Sequence, residues 1–184
     1  RVQLGYDRVP GTQKMHTPNL DTLAAKSLVL RKAQVQQAVC SPTRTSLLTS
    51  RYPDTTRVWD LYSYWRNVGG NFTTIPELFK NHGYDTRGIG KIFHPGHASG
   101  LTPGHEGDDQ RFSWSTPSYH APNEGYWSGK VRHPGCDGCG NSWIAVSPEA
   151  EERMPLGDTQ ITQHAIQTLA NLSAAGIGKA HKTG

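Results

Sequence analysis

Three times in its first eighty residues the chain places a proline where only the first turn of a helix accepts one. Thr17-Pro18-Asn19-Leu20-Asp21, Cys40-Ser41-Pro42 and Thr74-Ile75-Pro76-Glu77 each open such a stretch. Proline has no amide hydrogen and a fixed φ, so it suits a turn whose N–H groups have no partners and disrupts a later one. Thr17 and Thr74 supply hydroxyl caps, and Asp21 is an early acid against the dipole. Leu20, Leu23, Ala24, Ser27 and Leu28 recur at helical spacing, which predicts one buried face. Gly83 ends the third helix. Val29 to Val35, interrupted by Arg31-Lys32, and Tyr84 to Ile89 have strand character. Asp158 is expected to cap a last helix with the stripe Ile161, Ala165, Ile166, Leu169 and Leu172. Helices alternating with strands predict an α/β protein, a layered sheet with flanking helices.

The core available to such a fold is thin. Of 184 residues, 34% are hydrophobic, while Gly (20) and Pro (12) are plentiful. One domain of ordinary size fits this length, without internal repeat or clear linker. From Phe93 to about Pro155 turns dominate, with Trp114, Tyr119, Tyr126, Trp127 and Trp143 spread through a polar background; residues 95–155 read as a loop-rich insertion. The formal charge of +4 comes from dispersed Lys and Arg, which suits an acidic substrate and carries no nucleic-acid signature. No apolar run approaches the ~20 residues that span a bilayer, and no signal peptide is visible. Neither end reads as a fold boundary, so an internal fragment is expected. Cys136-Asp137-Gly138-Cys139, with His133 nearby, is half a zinc site at most; a disulfide or partners outside the chain is favoured. Asn71-Phe72-Thr73 and Asn171-Leu172-Ser173 fit the glycosylation acceptor pattern, making Asn71 and Asn171 candidates.

Two segments carry chemistry. The first is Cys40-Ser41-Pro42-Thr43-Arg44, followed by Thr45-Ser46-Leu47-Leu48-Thr49-Ser50-Arg51. Position 40 lies at a helix start, where free N–H groups and the dipole favour an anion. Arg44 is one turn further on, so its guanidinium returns to the same side. The second is Gly83-Tyr84-Asp85-Thr86-Arg87-Gly88-Ile89-Gly90-Lys91-Ile92-Phe93-His94, which begins 43 residues after Cys40. Lys91 is a compact cation suited to charge developing on an anion, and His94 titrates near neutrality. Taken singly these residues would be a buried thiol, a solvated helix charge and surface groups; together, in this order, they read as a site.

The first segment resembles the nucleophile motif of the type I sulfatases, Cys-x-Pro-(Ser/Thr)-Arg, and the second resembles that family's other signature. The resemblance implies an alkaline-phosphatase-like fold, incomplete here, with residues 1–184 as part of an N-terminal catalytic domain. It implies that a formylglycine-generating enzyme oxidises Cys40 to formylglycine. The hydrated aldehyde then attacks sulfur with one hydroxyl, and the second hydroxyl drives sulfate out, which an ordinary serine could not do. By the same resemblance Arg44 holds the formylglycine, Lys91 binds a sulfate oxygen and the nucleophile, and His94 bonds the formylglycine or assists proton transfer. Pro53-Asp54-Thr55-Thr56-Arg57, Ser63-Tyr64-Trp65-Arg66, Gly70 to Pro76, Lys91 to Gly96, Phe112-Ser113-Trp114-Ser115 and Gln163-His164-Ala165-Ile166 resemble one branch of the family. That branch removes the 2-O-sulfate from terminal iduronate in heparan and dermatan sulfate within lysosomes. The expected partner is therefore a sulfated glycosaminoglycan, and the expected location lysosomal, with secreted or periplasmic as alternatives. A sulfatase of another sugar or alkyl sulfate, and a non-catalytic glycan-binding or matrix protein, are the rival readings.

The pattern departs from the family at several points. Calcium is the implied metal, held by an Asp-Asp pair that would precede Arg1 and a later Asp-His or Asp-Asn pair. Both are absent, so Cys40, as formylglycine, is the one implied ligand left, and the chain alone is expected to be inactive. Asp108-Asp109 reads as a solvated acidic loop, since charge clusters usually stay in water. Ser50 stands where the family has Gly; in a left-handed turn it would cost about 1 kcal/mol. The Cys136/Cys139 spacing is too short for the family's pairing to transfer, and His181 in the terminal Lys-Ala-His-Lys is left unassigned.

Overall fold

The computed structural model describes residues 16–103, 107–122 and 146–176. It divides into two compact units, residues 1–35 and 36–184.

In the first unit, α1 (Pro18–Ala25) starts with proline in its first turn. The Thr17 hydroxyl donates to Asp21 Oδ1 at 2.9 Å and the Asp21 amide to Thr17 O at 2.9 Å, closing that turn from both sides. The expected buried face is not realised: no residue of α1 is buried, and Leu23 is 62% exposed. Val29 to Val35 does not form a strand either. Arg31-Lys32 makes a turn, with the Ala33 amide on Leu30 O. Strands need a neighbour for their backbone groups, and no β-bridge involves this segment among the described residues.

The second unit opens with α2 (Cys40–Thr49), entered from an extended Val39. Its inner face is hydroxylic: Ser41, Pro42, Thr45, Ser46 and Thr49 are buried. Thr49 Oγ1 satisfies itself on Thr45 O at 2.7 Å. The helix ends at Ser50, which is left-handed (φ 54, ψ 36), the conformation in which serine was expected to carry strain. Two short turns follow, α3 (Pro53–Thr56) and α4 (Trp65–Val68). Next, α5 (Ile75–Asn81) is held by a capping box in which Thr74 accepts from the Glu77 amide and Glu77 accepts from the Thr74 amide. A 3-10 turn (Gly96–Ser99), α6 (Gln110–Ser113), α7 (Pro148–Arg153) and α8 (Gly157–Ala174) complete the described elements. Asp158 lies in the first turn of α8, with Leu156 at the cap position, so it serves the dipole rather than capping. The stripe of α8 is only partly covered: Ile166 and Leu169 remain exposed.

The core is small and aromatic. Val58, Trp65, Phe93 and Trp114 are buried together, with Leu48, Tyr64, Phe72 and Ile92 packed around them. Trp65 stacks on Phe93 at 5.4 Å, and Phe93 meets Trp114 nearly edge-on at 6.0 Å. Trp65 reaches this position because Gly69 lets its turn close on Thr56: a Cβ there would lie 2.1 Å from Thr56 O. The Tyr84–Ile89 expectation is met as an extended segment rather than a full strand. Residues 86–90 run beside 115–119, joined by Ser115 N–Thr86 O, Tyr119 N–Gly88 O and Gly90 N–Tyr119 O, each 2.8 Å, with a single parallel bridge between Ile89 and Tyr119. No sheet of several strands forms among the described residues, so the layered sheet is not observed; what is seen is helices and turns around one parallel pairing.

The largest correction concerns Asp108-Asp109. This pair is buried, Asp109 only 2% exposed. Burial is possible because Arg66 presents its fork to Asp109, Nε to Oδ1 at 2.7 Å and Nη2 to Oδ2 at 2.8 Å. Tyr64 and Ser113 hydroxyls complete the carboxylate's hydrogen bonds, and Arg66 also pairs with Glu77 at 2.7 Å. Burial, then the adjacent Asp109 carboxylate, push the Tyr64 phenol far above its ordinary range, so it remains a donor. Asp108 accepts from Ser118 and pairs with His120. A charged pair stays in water by default; a buried guanidinium with matching geometry reverses that preference. Of the insertion, the described parts hold the 3-10 turn, α6 and α7. Cys136, Cys139, His133 and His181 lie outside the described residues.

Candidate functional site

Cys40 is the first residue of α2, exposed and not in a disulfide. The first helical bond runs from Thr43 N to Val39 O (3.2 Å), which leaves the amides of Cys40 and Ser41 pointing out of the helix start. Thr43 fixes the entry by donating its hydroxyl to Gln37 O, and Gln37 Nε2 donates to Trp59 O at 3.2 Å. Beneath, Ser41 Oγ and Ser46 Oγ are buried without hydrogen-bond partners.

Arg44, one turn along, connects the two sequence segments. Its Nη1 donates to Lys91 O at 2.6 Å and to Ile92 O at 2.8 Å. The guanidinium thus straps the backbone of the second segment to the helix that begins at Cys40. On the other side, Gly90 donates its amide to Tyr119 O, and its left-handed φ of +73 sets the turn into Lys91. Ile161 of α8 fills the space beside Gly90, where an added Cβ would come within 3.2 Å, and His164 of the same helix stacks on Tyr119 at 3.7 Å. The backbone before and after Lys91 is therefore held by different elements. Its ammonium is exposed, with no partner among the described residues.

His94 is half-buried, and its Nδ1 is enclosed with no hydrogen-bond partner. Burial first, then the positive charges of Lys91 and Arg44, hold its imidazolium below the usual histidine range. Those two cations are thus near enough to His94 to act on it. Arg44, Lys91 and His94 form one electropositive group; Cys40 joins it through α2, with no direct hydrogen bond to Lys91 or His94. Such a group attracts an anion, and binding one would relieve the penalty on protonated His94.

Calcium does not fit what is described. No group of three or more His, Cys, Asp or Glu side chains that could hold a metal occurs among the described residues. Asp109 is committed to Arg66 and Asp108 Oδ2 to His120 and Ser118, while Asp108 Oδ1 is buried without a hydrogen-bond partner. Formylglycine does fit: position 40 is exposed, at a helix start and beside unpartnered donors. Both glycosylation candidates are exposed, and their amide oxygens accept from Arg66 (Asn71) and Gln167 (Asn171, within α8). Two contributors, Gln37 and Arg66, lie in segments that resemble the family but were given no role of their own by the sequence. Gln37 carries no periodic signal. Arg66 was visible as a cation set directly after the aromatic pair Tyr64-Trp65, a position where a charge needs a buried partner.

Comparison with known proteins agrees with this geometry. The family model described as Sulfatase matches residues 8–175. Iduronate 2-sulfatase of Homo sapiens is 43% identical over 166 residues, covering 90% of this chain and 29% of that protein. The Mus musculus protein of the same name is 42% identical over 170 residues, with the same coverage. N-acetylgalactosamine-6-sulfatase of Homo sapiens is 34% identical over 122 residues, covering 61% of this chain and 23% of that protein. The chain spans under a third of the length of these relatives. With both signature segments folded against one another and a family match over nearly its whole length, the chain belongs to the sulfatase family.

Proposed function

We propose that this chain is part of a sulfuric ester hydrolase that removes the 2-O-sulfate from iduronate in heparan and dermatan sulfate. The observation that carries it is the Arg44 strap, which joins the helix opened by Cys40 to the segment bearing Lys91 and His94. Iduronate is favoured over other sugars because similarity to the iduronate sulfatases covers 90% of the chain, against 61% for the galactosamine enzyme. A formylglycine-generating enzyme is the proposed modifying partner, acting on Cys40, and a lysosome the proposed location. No described helix is long and apolar enough to cross a membrane.

At position 40, formylglycine hydrate would supply both the hydroxyl that attacks sulfur and the one that later releases sulfate. The chain's own residues do the rest. The outward amide of Cys40 and the Lys91 ammonium bind the sulfate oxygens and favour the charge that grows on them. Arg44 keeps Lys91 and His94 in register with the nucleophile. Protonated His94 is disfavoured in the empty site, is favoured once the anion arrives, and passes its proton towards the departing alcohol. By itself the 184-residue chain is proposed to be inactive, since the described residues lack a carboxylate set for the family's metal.

The test is turnover of a 2-O-sulfated iduronate disaccharide by the full-length protein co-expressed with the modifying enzyme, beside its Cys40→Ser variant. The wild type should release sulfate catalytically, and the serine variant should stop after at most one turnover. Equal turnover by both would overturn the proposal.

A further inference from the structure

Between α3 and α4 the chain runs through Arg57, Val58, Trp59, Asp60, Leu61, Tyr62 and Ser63, a stretch the sulfatase site does not use. It is built to hold some side chains in and others out. Val58 is fully buried in the aromatic core, whereas its neighbour Trp59 is 53% exposed and Tyr62 75%. Asp60 locks the turn between them, accepting from the amides of Tyr62 (2.8 Å) and Ser63 (2.6 Å) and from the Ser63 hydroxyl. Those bonds, the Ser63 and Tyr62 amides foremost, hold the Asp60 carboxyl below its ordinary value. Arg57 enters the loop in a left-handed conformation (φ 57), unusual for a residue with a side chain. Its guanidinium is exposed, with no partner among the described residues.

On this turn, closed by Asp60, two aromatic side chains and a cation are exposed to solvent. The loop is also tied to the nucleophile's helix. Gln37 Nε2 donates to Trp59 O, and Gln37 O accepts from Thr43 in the first turn of α2. Gln37 lies three residues before Cys40, so their Cα atoms are at most about 11 Å apart. Trp59 is therefore tied, through its backbone carbonyl and one glutamine, to the first turn of the nucleophile's helix.

We propose that the loop 57–63 is a saccharide subsite of this site: the Trp59 ring packs against the apolar face of the sugar next to the one that carries the scissile sulfate, a hexosamine in these polymers, and Arg57 meets that sugar's sulfate. Aromatic faces take sugar C–H groups much as they take other apolar and polarised partners, and a guanidinium matches a planar or tetrahedral oxyanion in bidentate fashion. The subsite rests on the saccharide sulfatase reading above and deepens it by naming what distinguishes a saccharide from a small sulfate ester.

The experiment uses the full-length protein and two substrates, a 2-O-sulfated iduronate disaccharide and ethyl sulfate. Their kcat/KM values are measured for the wild type, Trp59→Ala, Trp59→Phe and Arg57→Gln. The expected result is that Trp59→Ala lowers the disaccharide-to-ethyl-sulfate ratio about fivefold to tenfold, chiefly through KM for the disaccharide. Trp59→Phe should restore most of that ratio, and Arg57→Gln should weaken the salt dependence of disaccharide KM. Equal losses on both substrates would mean that the loop only supports the fold, and an unchanged ratio that Trp59 meets no sugar; either overturns the subsite. A wild type that cleaves ethyl sulfate but not the disaccharide would overturn the saccharide reading itself, before any variant is compared.

Discussion

Replacing Arg66 by methionine would leave a carboxylate in a place that water does not reach. The Asp109 side chain is fully buried, and the Arg66 fork at 2.7 and 2.8 Å is its counter-charge. Glu77, 13% exposed, loses the same partner. Removing one member of a buried pair typically costs 3–5 kcal/mol, and the guanidinium's contacts over the Trp65 and Phe112 rings go with it, so a loss of about 4 kcal/mol is expected. Asp109→Asn is milder, about 2 kcal/mol, because the amide oxygen still accepts from Tyr64 and Asn tolerates the left-handed backbone at 109. In the double variant no charge is stranded on Asp109, so the combined loss should fall short of the sum by about 2 kcal/mol. Urea unfolding followed by tryptophan fluorescence measures all three, since Trp65 and Trp114 report on the core. A loss under about 1 kcal/mol for Arg66→Met, or strict additivity, would refute the claim that this pair is what allows two adjacent aspartates to be buried.

Further outcomes follow from single residues. Ser50→Gly should raise stability by about 1 kcal/mol, because Ser50 is exposed and left-handed; an unchanged urea midpoint would show that the backbone there carries no strain. His94 should titrate below the ordinary histidine value of 6.5 in a ring-proton NMR experiment, and saturating sulfate should move it upwards. The sign for stability follows: the unfolded state takes up that proton first, so His94 contributes a loss of stability as pH falls below about 6.5, which His94→Gln should reduce. Arg44→Met should speed amide hydrogen exchange in residues 91–94 while leaving that of α5 unchanged, since the two carbonyl bonds anchor only the former.

Local backbone rules were legible from the sequence, and long-range pairing was not. The proline heads at 18, 42 and 76 each begin a helix where expected, because the reason a proline sits in a first turn is contained within four residues. The left-handed backbone at Ser50 was legible from the resemblance, since the family has Gly at that position. Val29 to Val35 failed as a strand because strand character depends on a neighbour to bond with, and Arg31-Lys32 tips the balance to a turn. Asp108-Asp109 was misread as solvated because its counter-ion lies 43 residues away at Arg66. In the site, the order of Cys40, Arg44, Lys91 and His94 was visible. That Arg44 would act on backbone carbonyls, rather than only on an anion, was not, since a hydrogen bond to a main-chain oxygen leaves no mark on the identity of the residue that offers it.

The central claim is that Cys40 does not work as a cysteine, and the mass of the peptide that contains it tests this most directly. Full-length protein with sulfatase activity should yield a residue-40 peptide about 18 Da lighter than its sequence requires, the difference between a thiol and an aldehyde side chain, and resistant to alkylation. An active preparation whose Cys40 retains its full mass and alkylates normally would contradict the claim.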